Sequence, residues 1–381
     1  MKVLHVITAL GVGGAEQQLR LLVRHLPVDS DVAALAALGP VADALRADGV
    51  RVAHIGMRHN RDLSALGRLT RLIRSGGYDL VHTHLYRACL YGRIAARLAG
   101  VRAIVATEHS LCETTLEGRE LNAGIRGLYT ATERLGRATV AVSPTVAQLL
   151  RGWGVPAGRI HTVPNGIDID RFAYDEIRRK EARSYYALPE DAFVVGAVGR
   201  LVPTKRFEVL IQALAQLPAP VRLLVVGGGE QEAVLRGLAR ALGVEERVVF
   251  AGTRSYADDP AADPAPGVPS LLAAMDVLAA PATAETFGLA VLEGLAAGLP
   301  VLYTTAPALT DLPPGSVPTA RRIEGGAQEY ALELRRLYAA GPGDRTTPEA
   351  VAHYGIEHCA ERLMDVYAAA SVPDRTQTGS E

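Results

Sequence analysis

Lysine is almost missing from this chain: of 40 basic residues among 381, only Lys2, Lys180 and Lys205 are lysines. Cysteine is as scarce. Cys89, Cys112 and Cys359 are odd in number and widely separated, which excludes a disulfide framework, offers no metal-ligand spacing and suits a reducing cytoplasm. No apolar run reaches the ~20 residues that a membrane-spanning helix requires. The Val3–Leu10 segment follows a single charge, contains His5 and runs into a glycine turn, so it reads as a buried first strand and not as a signal peptide. Internal repeats, metal motifs and a Gly-x-Ser-x-Gly nucleophile elbow are absent. The glycines at Gly11–Gly14 and Gly227–Gly229 lack the third member of a dinucleotide fingerprint, which argues against a nicotinamide site.

What remains is a soluble, globular composition, 49% hydrophobic and 21% charged, in a chain long enough for two cores. The formal net charge is −1, but it is uneven: residues 1–170 hold 20 basic against 14 acidic residues. That excess favours an anionic acceptor or membrane surface for the first half, and no nucleic acid is expected. Apolar runs at Lys2–Thr8, Val32–Leu35, Arg51–Ile55, Leu80–His84, Ala103–Thr107, Thr139–Val142 and Ile160–Val163 alternate with helical patterns. A second series begins at Phe193–Val198 and continues through Arg222–Val226, Val248–Ala251, Val277–Ala280 and Val301–Tyr303. Alternation of this kind predicts parallel sheets covered on both faces, with ligands beyond the carboxyl ends of the strands. The fold class expected is therefore α/β, with two Rossmann-like domains facing each other across a cleft. The boundaries read as a first domain over 1–170, a linker over 171–190 and a second domain over 191–350. A helix over 351–370 and a disordered tail over 371–381 complete the chain.

Candidate chemistry falls at strand ends. Gly13 and Gly14 follow the first strand, where backbone can approach a ligand closely because glycine adds no Cβ. His84 ends the fourth strand, with an acceptor contact as its specific reading, and His109 follows the fifth. Neither has the Asp or Cys neighbour of a nucleophilic triad. Arg200 and Lys205 follow the first strand of the second series, placed to neutralise a diphosphate. The stretch Pro281–Pro300, PATAETFGLAVLEGLAAGLP, carries Glu285 ahead of a short helix and Glu293 inside it. Phe287, Gly288 and Leu289 mark the helix start, whose free N–H groups make an anion site. Gly298 and Pro300 mark its stop. Val291, Leu292 and Leu295 surround Glu293 with apolar side chains, so its environment is expected to be buried.

The Glu285/Glu293 pair with Phe287-Gly288 and the closing Gly-Leu-Pro-Val, the Gly-Arg…Lys pattern of Arg200 and Lys205, ATEH at His109 and VPNGIDIDRF at 163–172 closely resemble the retaining GT-B glycosyltransferases of family four, also called glycosyltransferase group 1. The resemblance covers nearly the whole chain. It implies transfer of a sugar from a nucleoside-diphosphate-sugar, UDP- or GDP-linked, to a glycan, lipid-linked or small-molecule acceptor. It implies diphosphate contacts from Arg200 and Lys205, sugar contacts from His109 and Glu285, a ribose contact from Glu293, and nucleobase contacts from the Thr253–Arg254 turn. It further implies that the domain over 1–170 is acceptor-binding and that over 191–350 nucleotide-sugar-binding, with a final helix that braces the first. No metal or other cofactor is expected, because the two cations and the helix start do a metal's charge work. A cytoplasmic location follows, with room for peripheral contact at the inner membrane face through the basic first half. Two departures stand out: Tyr256–Pro269 is long for the family and reads as a mobile surface loop, and Tyr303–Asp311 replaces a glycine-containing turn. A nucleotide-sugar epimerase or hydrolase, and a non-catalytic sugar-nucleotide-binding protein, remain as rivals.

Overall fold

The structure, a computed structural model, describes all residues except 113–114, 117–118, 257–262 and 373–381. The loop expected at Tyr256–Pro269 therefore lies partly outside the described residues, and the expected tail almost wholly so. Two compact units emerge, Met1–Gly166 with Ile356–Glu381, and Ile167–Gly355.

In the first unit, β1 (Lys2–Ile7), β2 (Asp29–Ala34), β3 (Val52–His54), β4 (Leu80–His84) and β5 (Ala103–Glu108) are followed by a small antiparallel pair, β6 (Thr115–Leu116) and β7 (Arg119–Glu120). The strands β8 (Ala138–Ala141) and β9 (Ile160–Thr162) complete a seven-stranded parallel sheet in the order β3-β2-β1-β4-β5-β8-β9. Helices cover both faces, which is why the strands read as continuous apolar runs. Val3, Leu80, Val105 and Val140 face the C-terminal helix Ile356–Ser371, while Leu4, Val6, Val81 and Ile104 belong to a separate core that includes Leu69, Ile73, Ala95 and Ala96.

The second unit repeats the plan. Its strands are β10 (Phe193–Val198), β11 (Val221–Val226), β12 (Val248–Gly252), β13 (Val277–Ala280), β14 (Val301–Tyr303) and β15 (Ala320–Arg322), in the order β12-β11-β10-β13-β14-β15. Four strands match their sequence-based limits residue for residue, Leu80–His84, Phe193–Val198, Val277–Ala280 and Val301–Tyr303. β15 has no counterpart among the apolar runs because Ala320–Arg322 is a half-exposed edge strand.

In both sheets the strand order reverses beside the first strand of the unit, at β1/β4 and at β10/β13. Parallel sheets bind ligands at such switch points, beyond the carboxyl ends. The Gly11–Gly14 loop leaves β1 there, Arg200 follows β10, and the Pro281–Gly288 segment follows β13.

One boundary needs correction. Residues 171–190, expected as a linker, contain the helix Glu176–Tyr185, which packs on the helix Val268–Ala274 inside the second unit. From this helix Arg179 and Arg183 both reach Asp276, at 2.7 and 2.8 Å, and Arg183 also donates to the Ala274 and Ala192 carbonyls. Asp276 in turn accepts from the Val194 N–H at 2.7 Å, so the ion triad is tied to the start of β10. Removing Asp276 would leave two guanidiniums without their counter-charge, Arg183 among them buried.

Candidate active site

The helix foreseen after Glu285 runs over Leu289–Ala296, with Gly288 as its N-cap at φ 98° and Gly298 past its end at φ 67°. A side chain at Gly288 would meet both a left-handed backbone and Ala306, whose Cβ lies 3.1 Å from where a new Cβ would stand. No side chain caps the N-terminus, so its first N–H groups point outward as a seat for an anion. Phe287 itself is buried edge-on against Tyr354, and offers a ligand backbone only.

Around this helix three charged groups converge. The Lys205 ammonium contacts the Glu285 carboxylate directly, from the 3₁₀ turn Pro203–Lys205 that follows β10. Glu293 is 3% exposed, and burial raises its carboxyl to about 7, against opposing pulls from the Tyr256 hydroxyl, 3.5 Å away, and from Lys205. One lysine thus bears on both glutamates. Arg200 is exposed and has no ion-pair partner among the described residues. A cation left in solvent past the carboxyl end of β10, the strand next to β13 in the sheet, suits an anionic ligand.

In the Thr253–Arg254 turn, Arg254 donates from Nε to the Ala251 carbonyl at 2.7 Å and from Nη1 to Asp263 at 3.3 Å, which anchors two of its three nitrogens to its own loop, and Thr253 is exposed. In the replaced turn after β14, Thr304 bonds Tyr330 and Thr305 donates to the Thr283 carbonyl. Tyr256, beside Glu293, carried no sequence signal; its place came from the fold of a loop read only as long.

In the first unit Gly13 caps the helix Gly14–His25 without a side-chain bond. His109 sits past β5, with its Nε2 3.1 Å from His84 Nδ1, and its Nδ1 is buried without a partner of good geometry. Burial lowers His109 to about 4, partly offset by the neighbouring Asn165 side chain. Thr8 and Ser110, at the same carboxyl edge, also hold buried hydroxyls without partners, an arrangement that awaits polar ligand atoms.

His84 corrects the acceptor reading. Its side chain is fully buried, and its two nitrogens are taken by His109 and by His5, 3.1 Å away. The strand register explains this: His5 lies opposite His82 across β1 and β4, and side chains two apart on a strand share a face. His82 is held by Thr107 and Tyr367, each at 2.7 Å. His5, His82 and His84 bring one ring nitrogen each within 4.8 Å of one another, a spacing of the kind that gathers a metal, but the hydrogen bonds just described engage them.

Comparison with known proteins adds identity of type. A model described as Glycosyltransferase Family 4 matches residues 12–171, and one described as Glycosyl transferases group 1 matches residues 178–312. The D-inositol 3-phosphate glycosyltransferases of Mycobacterium bovis and Mycobacterium tuberculosis are 29% identical over 315 residues, covering 77% of this chain and 61% of theirs. The chain thus spans 61% of the length of these curated relatives. Among solved structures, Anabaena HepE in complex with UDP and glucose superposes with a TM-score of 0.82 at 23% identity, over 97% of this chain and 100% of that one. Sucrose-phosphate synthase from Thermosynechococcus elongatus gives 0.69 at 20% identity, over 97% and 96%. At these identities the likeness concerns the fold, two Rossmann-like domains of the GT-B type.

Proposed function

Since this chain belongs to the glycosyltransferases of family 4 and group 1, we propose that it moves a sugar from a nucleoside diphosphate to an acceptor hydroxyl with retention at the anomeric carbon. The observation that carries the reading is the Lys205 ammonium set between Glu285 and Glu293 beside an uncapped helix start. Glycosyl transfer from a nucleotide sugar develops negative charge on the departing diphosphate. Lys205, Arg200 and the N–H groups at Phe287–Leu289 are the donors for that charge, and their worth grows as the bond to the sugar breaks. In this scheme the donor's diphosphate takes over Lys205 and releases Glu285 to the sugar hydroxyls. Glu293 accepts from the ribose, Thr253 with its turn backbone holds the base, and the Gly13–Gly14 backbone approaches the donor.

In this scheme departure and attack occur on one face of the sugar, with no covalent intermediate on the protein. The diphosphate oxygen takes the acceptor's proton, and His109, whose burial disfavours a charged ring, orients the sugar instead of relaying protons. No metal is called for, since Arg200, Lys205 and the helix start supply the positive charge. The basic excess of residues 1–170 favours an anionic acceptor; a phosphorylated polyol, the class named in the mycobacterial relatives, fits it, as does a lipid-linked phosphate. No helix among the described residues is long and apolar enough to cross a membrane.

The test is incubation with UDP-glucose, UDP-N-acetylglucosamine and GDP-mannose, with and without a phosphorylated polyol, read by mass spectrometry and proton NMR. An α-configured transfer product from an α donor is expected. Free sugar or an isomer from donor alone would favour a hydrolase or epimerase, and a β anomeric signal would overturn retention.

A further inference from the structure

Behind His109 lies an unbroken string of rings. Ser30 Oγ stands 3.4 Å from His5 Nε2, His5 Nδ1 stands 3.1 Å from His84 Nε2, and His84 Nδ1 stands 3.1 Å from His109 Nε2. His5 and His84 are fully buried. The charged neighbours that bear on the rings of the cluster are other imidazoles, each of which disfavours protonation, and none of the described hydrogen bonds brings a carboxylate to the string. The rings are therefore neutral, with one N–H and one lone pair each.

Neutrality makes the string cooperative. Each N···N contact holds one proton: with none it sets lone pair against lone pair, and with two it sets hydrogen against hydrogen. If His84 carries its proton on Nε2, His5 Nδ1 must accept it and His109 must donate from Nε2. If His84 carries it on Nδ1, all three rings carry theirs on Nδ1. The string thus has two states, and all its members change together. In the Nε2–H state every N–H has an acceptor, ending on Ser30 Oγ, and the one group left over is the His109 Nδ1 lone pair. In the Nδ1–H state the leftover is a buried N–H beside the Asn165 side chain, with which it makes no hydrogen bond of good geometry, and a buried N–H so poorly satisfied costs more than an unused lone pair.

We propose that His5 and His84 are positioning residues that hold His109 in its Nε2–H tautomer, so that Nδ1 accepts a hydrogen bond from a sugar hydroxyl. Nδ1 is the ring nitrogen left for a ligand, because Nε2 is engaged by His84. The link to the sugar rests on the function proposed above; the tautomer pattern does not.

The experiment is a long-range proton–nitrogen NMR spectrum of the full chain, labelled with nitrogen-15 histidine and free of ligand, between pH 6 and 8. His5, His84 and His109 are expected in one common state, protonated on Nε2. Opposite tautomers on two neighbours, or an imidazolium in the string, overturns the proposal on the wild-type protein alone. His84→Leu removes the acceptor of His109 Nε2–H and should shift His109 toward the Nδ1–H form or a mixture. His84→Gln restores an acceptor oxygen and should restore the wild-type signature. With a donor that the wild type turns over, His84→Leu should lose about 3- to 10-fold in kcat/KM, the worth of one misdirected hydrogen bond, and His84→Gln should recover most of it. If the wild type transfers no sugar from any donor offered while the common tautomer is seen, the functional reading fails and the string stands.

Discussion

Glu293→Gln separates a buried, titrating carboxyl from a merely structural one. Burial raises Glu293 from 4.5 to about 7. At 1.36 kcal/mol per pKa unit the folded state disfavours the charged form by about 3 kcal/mol, as an upper bound. The folded protein holds the proton more tightly than the unfolded one, so unfolding releases it between pH 4.5 and 7. Stability contributed by this group therefore falls as pH rises through that window and is level above it. Glutamine carries no charge to desolvate. The variant should match wild type near pH 4.5 and exceed it by up to about 3 kcal/mol at pH 8, read from urea transitions followed by circular dichroism at several pH values. A second arm uses the donor. Ribose hydroxyls that donate to the carboxylate favour its charged form, so binding at pH 6 should release close to one proton, measured by calorimetry in buffers of different ionisation enthalpy. A stability difference between variant and wild type that stays constant from pH 5 to 8, together with no proton release, would refute the reasoning.

The other predictions are more direct. Lys205→Met and Arg200→Ala should each lower turnover by ~10²–10³ while changing donor affinity much less, because leaving-group charge grows in the transition state; losses of tenfold or less in both parameters would return them to ordinary surface cations. His5 at about 3 and His109 at about 4 are both lowered by burial, so the unfolded chain binds more protons below pH 6.5 and the first unit should weaken as pH falls through that range. Fluorescence of Trp153, the sole tryptophan, reports that unit, and a flat profile from pH 6.5 to 4 would count against neutral buried rings. Gly288→Ala should cost roughly 1–2 kcal/mol from its left-handed backbone alone, with added crowding at Ala306, and a neutral substitution would contradict the cap geometry. Treatment with EDTA should leave transfer intact, and loss of activity that added metal restores would end the metal-free reading.

Much of the fold was legible because of how parallel sheets are buried. Strands such as Phe193–Val198 and Val277–Ala280 are covered on both faces, so they appear as unbroken apolar runs whose limits need no partner to define them. The stretch from Glu285 to Pro300 was legible for a different reason: its cap, helix and carboxylate lie within a few residues, and local conformation alone brings them together. That Glu293 would be buried followed from its apolar neighbours on the same short helix.

Other features depend on residues that only the fold makes adjacent. His84 looked free for an acceptor at a strand end, but the β1-β4-β5 order sets His5 and His109 on either side and takes both its nitrogens. Arg179 and Arg183 belong to a run that any composition-based reading would solvate, yet Arg183 is buried and Arg179 half-buried because Asp276, far along the chain, waits at the foot of β10. Tyr256 reaches Glu293 through a loop whose path no periodicity encodes. Sequence alone therefore determined the strands, the short capped helix and the chemistry its neighbours allow, since those rest on contacts within one element. Tertiary structure decided which lone pairs, protons and charges remain for a ligand, because strand order and register set the partners that consume the rest.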